Sequence, residues 1–561
     1  MSLLDKASLV VTPNAYKESK LYSVIPNTTL GDMDVTRATT ATRINSAGLV
    51  EVMPRNLLTY SEQIDNADWV KSNTPTITTN IAVAPNGTMT ADGIQSPSGT
   101  NYKVIYQTKT ISPNSTLTYS LYVKKETIET NFGGIGMYLS GGSIKSFYVI
   151  INAVTGTLVL TANSITPTLQ VVDAGAYWRI IATVIDNGNN TSVIAEYYAT
   201  ISTNGTTLSP ASGSVRTLWG FQLETSSTAT EYFPTTTRLN IPRIDYTNGS
   251  CPSLLVEPQR TNLILYSEQF DNADWSKLNA TITANTTTSP SGVSNADTLV
   301  ITSGGYLLKL LTSFSAVSGQ SITASIFVKN QTTNFLGFGG ATIAGTDVYS
   351  IENYGNGWYR HKVTRTFTVT VVGLIQYIIF DKVGTHFIWG AQLEVGAYAT
   401  SYIPTVASSV TRNADVISKS GISSLIGQTE GTIFLDFNVN NLSSQTADPV
   451  IFSTSGTNYI RLFTTRVISY FESNTVSISS ASNVIINGRN KIAANYKNNE
   501  FSLYVNGVLV GSNNSGSVVA KSNFALNYIP TSVFDPSLFY NSIQLYKTKL
   551  TNAECIALTT L

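Results

Sequence analysis

Charge is what this chain has least of. Asp, Glu, Lys and Arg make up 12% of its 561 residues, against about a quarter in an ordinary soluble domain. The 34 basic and 34 acidic side chains cancel. No Lys/Arg stripe is visible, so a nucleic-acid partner, which needs one to displace counterions, is not expected. Histidine is confined to His361 and His386, too few for a zinc site without carboxylates at matching spacing. No carboxylate pair or nucleophile with its base stands out, so the chain does not read as an enzyme. No stretch approaches 18 apolar residues, and membrane insertion is not expected. The opening MSLLDKASLVV lacks the basic and long apolar regions of a secretory signal. The two cysteines, Cys251 and Cys555, fall in different expected domains. They read as free thiols, as in a protein made in a reducing cytoplasm.

Ser, Thr, Asn and Gly fill the deficit, with 29 Tyr and 21 Phe. Aromatic and β-branched residues suit a pleated, half-buried surface, and Gly, Asn and Ser supply turns. Leu117, Tyr119, Leu121 and Val123 alternate with polar residues, as do Ile322, Ala324, Ile326 and Val328. Period two means one buried face. The expected fold class is all-β: several antiparallel β-sandwiches, two of jelly-roll type.

One segment is used twice. LLTYSEQIDNADWVKSN from Leu57 returns as LILYSEQFDNADWSKLN from Leu263, so that Trp69 answers to Trp275. TLTYSLYVKK answers to SITASIFVKN, and the copies close with Trp219-Gly220-Phe221-Gln222-Leu223-Glu224 against Trp389-Gly390-Ala391-Gln392-Leu393-Glu394. The first copy carries more chain between its tryptophans. A repeat this long is a duplicated domain, since solenoid units have periods of about 20–50 residues. The expected domains are an N-terminal attachment segment (1–54), a first jelly-roll repeat (55–238), a connector (239–259), a second jelly-roll repeat (260–412) and a C-terminal domain (413–561). Both repeats follow an apolar-Glu-Pro-Arg-Asn-Leu lead. The connector is therefore expected to pack with residues 1–54, making the first repeat an insertion.

The FSLYVNGVLVG hairpin, and the closing strand followed by LTNAE and a terminal helix, resemble a laminin-G or concanavalin-A-like lectin domain over about 413–561. Thr551 with Glu554 forms a capping-box signature for that helix. The repeats, with an NLL opening and a WGxQLE closing strand, resemble jelly-roll carbohydrate-binding modules. The order PNAYKESKLYSVIPN, RATTATRINSAGLVE, PRIDYTNGSCPSLLVEPQRTNL and LYSEQFDNADW resembles virion structural proteins of tailed bacteriophages, of head-fibre or tail-fibre type. That resemblance implies a virion-surface protein made in the bacterial host cytoplasm and joined to other virion proteins through its N-terminal region. It also implies a homotrimer, although the sequence has no coiled-coil heptads, and adhesion to host-surface or mucosal glycans. A purely architectural capsid decoration or collar protein and a glycan depolymerase are the alternatives.

A sugar site wants aromatic platforms beside polar groups. The candidates are Tyr177 and Trp178 in AGAYWR, Tyr354, Trp358 and Tyr359 in ENYGNGWYRH, and Tyr459, Arg461 and Arg489 in the lectin-like region. Trp69 and Trp275 keep the same flanks in both copies and read as core plugs; platforms are expected where the loops of the copies differ. Asp65, Asp68 and Asp92, matched by Asp271, Asp274 and Asp297, are candidate ligands of a structural calcium, which takes about six to eight oxygens. The resemblance to carbohydrate-binding modules favours that metal, and Asx turn capping explains the same residues without it. No other cofactor is expected.

Overall fold

The computed structural model describes residues 2–561 apart from 98–100, 112, 114, 129–130, 212, 214, 340–343, 381, 441–449, 456, 464, 474 and 527–536. The protein is all-β and multi-domain, built from antiparallel sheets packed as sandwiches. Among the described residues the helices are Leu3–Lys6 and Asn552–Thr559; none is long and apolar enough to cross a membrane. The chain divides into two compact units. One holds 54–238 with 293–295; the other holds 1–53, 239–292 and 296–561.

The 54–238 unit is a sandwich of two six-stranded sheets. The first runs Leu158–Asn163, Lys145–Ile151, Phe132–Ser140, Ser192–Ser202, Val104–Thr110, Val70–Ser72. The second runs Thr168–Ala174, Tyr177–Ile185, Thr116–Lys124, Arg216–Thr225, Ala91–Gln95, Thr76–Ala82. The alternating residues Leu117, Tyr119, Leu121 and Val123 pack inward against Ile135, Met137 and Tyr197. Trp69 is 1% exposed, and its Nε1 donates to the carbonyl of Tyr60 at 3.0 Å. In the second repeat Trp275 makes the same bond to Tyr266 at 3.1 Å. Gln222 and Glu224 are buried; Glu224 accepts the N–H of Thr230 at 3.1 Å, as Glu394 accepts that of Thr400 at 3.0 Å. The WGxQLE strand is thus a core element twice over. A bulge interrupts it in both copies, at Gly220 (φ 65°) and Gly390 (φ 64°). There a Cβ would press on Tyr122 at 3.0 Å or Phe327 at 3.1 Å, so glycine is required on two counts.

In the second repeat one strand, Ala296–Ala316, pairs first with Gly384–Val395 and then with Val371–Phe380. It replaces two shorter strands of the first repeat, Ala91–Gln95 and Val104–Thr110. The C-terminal sandwich is assembled from three stretches of sequence. One sheet runs Arg243–Asp245, Ser253–Val256, Leu538–Tyr546, Glu430–Val439, Gly488–Lys497, Phe501–Val505, Val508–Asn513, with Leu9–Val11 paired to Leu538–Tyr546. The other includes Tyr16–Lys17, Lys20–Leu21 and Met33–Thr36 beside Val416–Ser420. Residues 1–54 and 239–259, expected as an attachment segment and a connector, therefore contribute strands to this domain. Asn506 (φ 48°) and Gly507 (φ 84°) turn the hairpin, and Thr551 and Glu554 form the reciprocal cap of the last helix.

Ion pairs fasten the place where these stretches meet. Arg37 donates to Asp415 at 2.7 Å, and Arg243 to Glu257 at 2.7 Å and to Asp415. Arg412 donates to Glu257 at 2.6 Å. All five side chains are buried. Burial pushes both carboxyls up, but the guanidiniums of Arg412 and Arg243 on Glu257, and of Arg243 and Arg37 on Asp415, pull harder and hold them below the usual carboxylate range. Four of these residues lie in the motifs that carry the virion resemblance or in the VTR that ends the second repeat. Those motifs have a structural task as an ionic clamp.

Candidate functional site

The outer face of the first sheet of the 54–238 unit carries aromatic residues where water would ordinarily meet polar ones. Strands Val104–Thr110 and Ser192–Ser202 pair with Val104 opposite Tyr198 and Tyr106 opposite Glu196. Period two sends Ile105, Ala195 and Tyr197 into the core and Tyr106, Glu196 and Tyr198 outward. Tyr102 and Tyr148 meet the ring of Tyr198 edge-on, at centroid distances of 5.8 and 5.7 Å. Together with Ser72, Asn73 and Asn101, the residues Tyr102, Tyr106, Glu196 and Tyr198 line an open cleft of about 430 Å³, within the range of small-ligand sites.

Each wall is positioned by neighbours. Asn73 donates through Nδ2 to the carbonyl of Tyr102 at 2.8 Å, fixing the chain that carries that ring. Tyr198 donates its hydroxyl to Glu196 at 2.8 Å. Gly136 lets the Glu196 carboxylate lie against Tyr148: a Cβ there would fall 2.9 Å from the ring and 3.0 Å from Glu196 Oε2. Burial raises the Glu196 carboxyl, and the Tyr198 hydrogen bond lowers it in part. Burial, then the Glu196 charge, raises the Tyr198 phenol. Rings that can stack on an apolar face, beside a carboxylate and amides that can bond hydroxyls, suit a polyhydroxylated ligand.

The second repeat carries other residues at these strand positions. The register sets Leu308 opposite Ile378 and Ser276 opposite Leu308, as Tyr106 lies opposite Glu196 and Val70. Counting from the matched tryptophans, Leu308 and Ile378 stand where the first repeat has Tyr106 and Glu196.

The residues singled out from sequence lie elsewhere. Tyr177 is 1% exposed and bonds the carbonyl of Val83 at 2.9 Å, so it is part of the packing and no platform. Trp178 is half-buried, its Nε1 donating to Ala153 at 3.0 Å, and the Lys125 ammonium covers its ring at 3.9 Å. Trp358 is buried and bonds Thr288 at 3.2 Å. Tyr354 is half-buried edge-on to Phe327 at 4.8 Å. The cavity it borders is about 50 Å³, room for a few waters and no sugar ring. Tyr359 is half-buried within strand Trp358–Phe367, between Val328 and Asn353. Tyr459 leans on Phe471 at 4.7 Å, and Arg461 lies over Phe463 at 5.2 Å. Arg489 is exposed but forked onto Asp436 at 2.9 and 2.6 Å. The structure does not gather these eight into one site.

Nor do the six aspartates fit a calcium ion. Among the described residues no three acidic, His or Cys groups converge on a metal position. Asp92 spends its two oxygens on the N–H groups of Ile64 (3.1 Å) and Asn80 (2.8 Å). Asp297 does the same with Phe270 (3.1 Å) and Asn285 (2.9 Å). Asp65, Asp68, Asp271 and Asp274 are exposed, and Asp274 accepts from Lys309 at 2.8 Å. In each loop the cation is the chain's own. Lys71 donates to the carbonyls of Asn66 and Trp69 at 2.7 and 3.0 Å. Lys277 donates to those of Asp271, Asn272 and Trp275 at 3.1, 2.9 and 3.0 Å.

Sequence reasoning passed over the tyrosine cleft, although two signals pointed to it. Tyr102 lies in the connection (96–103) that the second repeat lacks, where the copies differ. Tyr102-x-Val104-x-Tyr106 and Glu196-x-Tyr198 alternate with core residues, so both strands place aromatic and acidic residues on the solvent side. The histidines are spoken for: His361 is 1% exposed, bonds the carbonyl of Gln331 at 2.9 Å and is lowered by burial to about 4; His386 bonds that of Lys382 at 2.7 Å.

No family model matches the chain, and no curated protein does. Parts of it are similar to solved structures. The receptor-binding domain of botulinum neurotoxin mosaic serotype C/D is 12% identical over 26% of this chain and 39% of that one, with a TM-score of 0.22. The CBM22-1–CBM22-2 tandem domain of Paenibacillus barcinonensis Xyn10C is 10% identical over 62% and 98%, with a TM-score of 0.23. The sialidase of Trypanosoma rangeli, in complex with sialic acid, is 9% identical over 99% and 96%, with a TM-score of 0.20. The chain thus spans about two fifths of the toxin domain it matches. At these TM-scores the likenesses say nothing about activity, and the site stands on its own geometry.

Proposed function

We propose that this protein binds glycans through the tyrosine-lined cleft of its first repeat and does so on the surface of a tailed-bacteriophage particle, as a head or tail fibre. The observation that carries the binding role is the cleft: three tyrosines, a half-buried carboxylate and two asparagines, at strand positions where the sister repeat has Leu308 and Ile378. The virion role rests on the sequence resemblance alone. A homotrimer would multiply a weak cleft into useful avidity, with other virion proteins as its attachment partners and host-surface or mucosal glycans as its ligand. The reading is of binding without catalysis, and the buried His361 and the backbone-bonded His386 support it. It calls for no metal.

The test is binding of the labelled protein to host cells before and after periodate oxidation of their surface sugars, with Tyr102→Ala/Tyr106→Ala alongside. Binding abolished by oxidation and by the double substitution supports the reading. Binding that survives both sinks it. An architectural decoration or collar protein is the second reading. Exposed apolar residues on outer strands favour it, Val171 and Val172 in one repeat and Val348 and Tyr349 in the other. It expects no cell binding and altered particles when the protein is missing.

A further inference from the structure

Among the described residues Glu196 is the one charged group lining the cleft. Among the described residues its side-chain partner is the Tyr198 hydroxyl, and burial and that hydrogen bond, with no ammonium or guanidinium, are what act on its carboxyl. A half-buried carboxylate without a cation is costly to keep. The fold does not require it, because the sister repeat builds the equivalent strand pair with Leu308 opposite Ile378. A residue that costs stability and is dispensable to the fold is placed for what it contacts.

Resting on the glycan reading above, we infer that the cleft takes an uncharged saccharide and turns away sugars that carry a carboxylate. The physical argument has two parts. Tyr198 occupies one position on Oε2, which leaves lone pairs of the carboxylate free to accept hydroxyl donors, and a neutral sugar offers several on adjacent carbons. A uronic or sialic acid would set a second anion beside Glu196 in a partly desolvated site, with no cation in the lining to offset the repulsion. Gly136 contributes by giving the carboxylate its place against Tyr148, so that stacking and hydroxyl recognition converge.

The experiment uses the full chain and one host-surface polysaccharide in two forms: native, and with its uronic carboxylates reduced to hydroxymethyl groups. Neutral hexose oligosaccharides and sialyllactose serve as defined competitors. Reduction is expected to strengthen binding about tenfold or more, the scale of one like-charge contact in a half-solvated site. Neutral oligosaccharides should compete and sialyllactose should not. Glu196→Gln, checked for folding by circular dichroism, should weaken the neutral ligand and narrow the gap between the two forms. If the native acidic form binds as well as the reduced one, or Glu196→Gln leaves the gap unchanged, the charge selection is wrong and the glycan role stands. If neither form nor any competitor binds, the glycan role itself falls.

Discussion

Replacing Glu257 with glutamine keeps the side chain's shape and removes its charge at the meeting point of three guanidiniums. Glu257 accepts five donors: Arg243 (2.7 Å), Arg412 (2.6 Å) and the Ser401 hydroxyl (2.7 Å) on one oxygen, the Ser401 N–H (3.0 Å) and the Ser537 hydroxyl (2.7 Å) on the other. A glutamine NH2 must face donors in either orientation. The less costly one turns it toward Ser537, whose hydroxyl can rotate to accept, and leaves the Ser401 N–H unpaired. Arg37, Arg243 and Arg412 would then share Asp415 alone. Breaking a buried pair from one side costs about 3–5 kcal/mol, and we expect Glu257→Gln to lie in that range. Arg243→Met should cost less, about 1–3 kcal/mol, because Arg412–Glu257 and Arg37–Asp415 survive it and leave two cations with two anions. Urea unfolding of the full chain measures both. The 54–238 unit contributes no residue to the cluster, so its transition should keep its midpoint. A Glu257→Gln protein within about 1 kcal/mol of the parent, or an Arg243→Met protein less stable than it, would refute the reasoning.

The clamp and Asp297 together set an expected pH profile for the larger unit. Glu257 and Asp415 titrate below the usual range when folded, so the stability they contribute is whole above about pH 4 and drains away as pH falls through their folded values. Burial pushes Asp297 up to about 7 against the two N–H groups it accepts, so it holds a proton that the unfolded chain releases, and stability falls as pH rises from about 4 through 7. The urea midpoint should therefore peak near pH 4–5, with the upper limb flattened in Asp297→Asn; a midpoint climbing steadily to pH 7 contradicts this. Lys277→Met should destabilise the second repeat by about 1–2 kcal/mol, the net loss of charged hydrogen bonds whose carbonyls can partly turn to water. Added calcium should not raise the melting temperature of the parent protein. Gly136→Ala should weaken glycan binding at least severalfold by displacing Glu196 and Tyr148, with little change in circular dichroism; unchanged affinity would remove the carboxylate from the site.

Local order in the chain decided much of the architecture. Alternation at Leu117–Val123 and Ile322–Val328 named the strands, Asn506-Gly507 named a hairpin, and Thr551 with Glu554 named the start of the last helix. Each of these signals lies within a dozen residues, where backbone geometry alone reads it. The duplication was equally plain, since Trp69 and Trp275 carry the same flanks and fill the same place in two cores. Tertiary structure decided the rest. Arg37, Arg243, Glu257, Arg412 and Asp415 are scattered across most of the chain and form one cluster only because the N-terminal strands and the 239–259 strands join the C-terminal sandwich. The cleft likewise needs Asn73, Tyr102, Tyr106 and Glu196 from separate strands and connections, brought to one face by sheet order that no local pattern encodes. The aromatics that looked most like platforms sat beside glycine-rich turns, and packing took Tyr177 and Trp358 inward. Residue spacing fixes which way a strand faces, but which strands become neighbours, and so which side chains share a site, follows from the burial of the whole core.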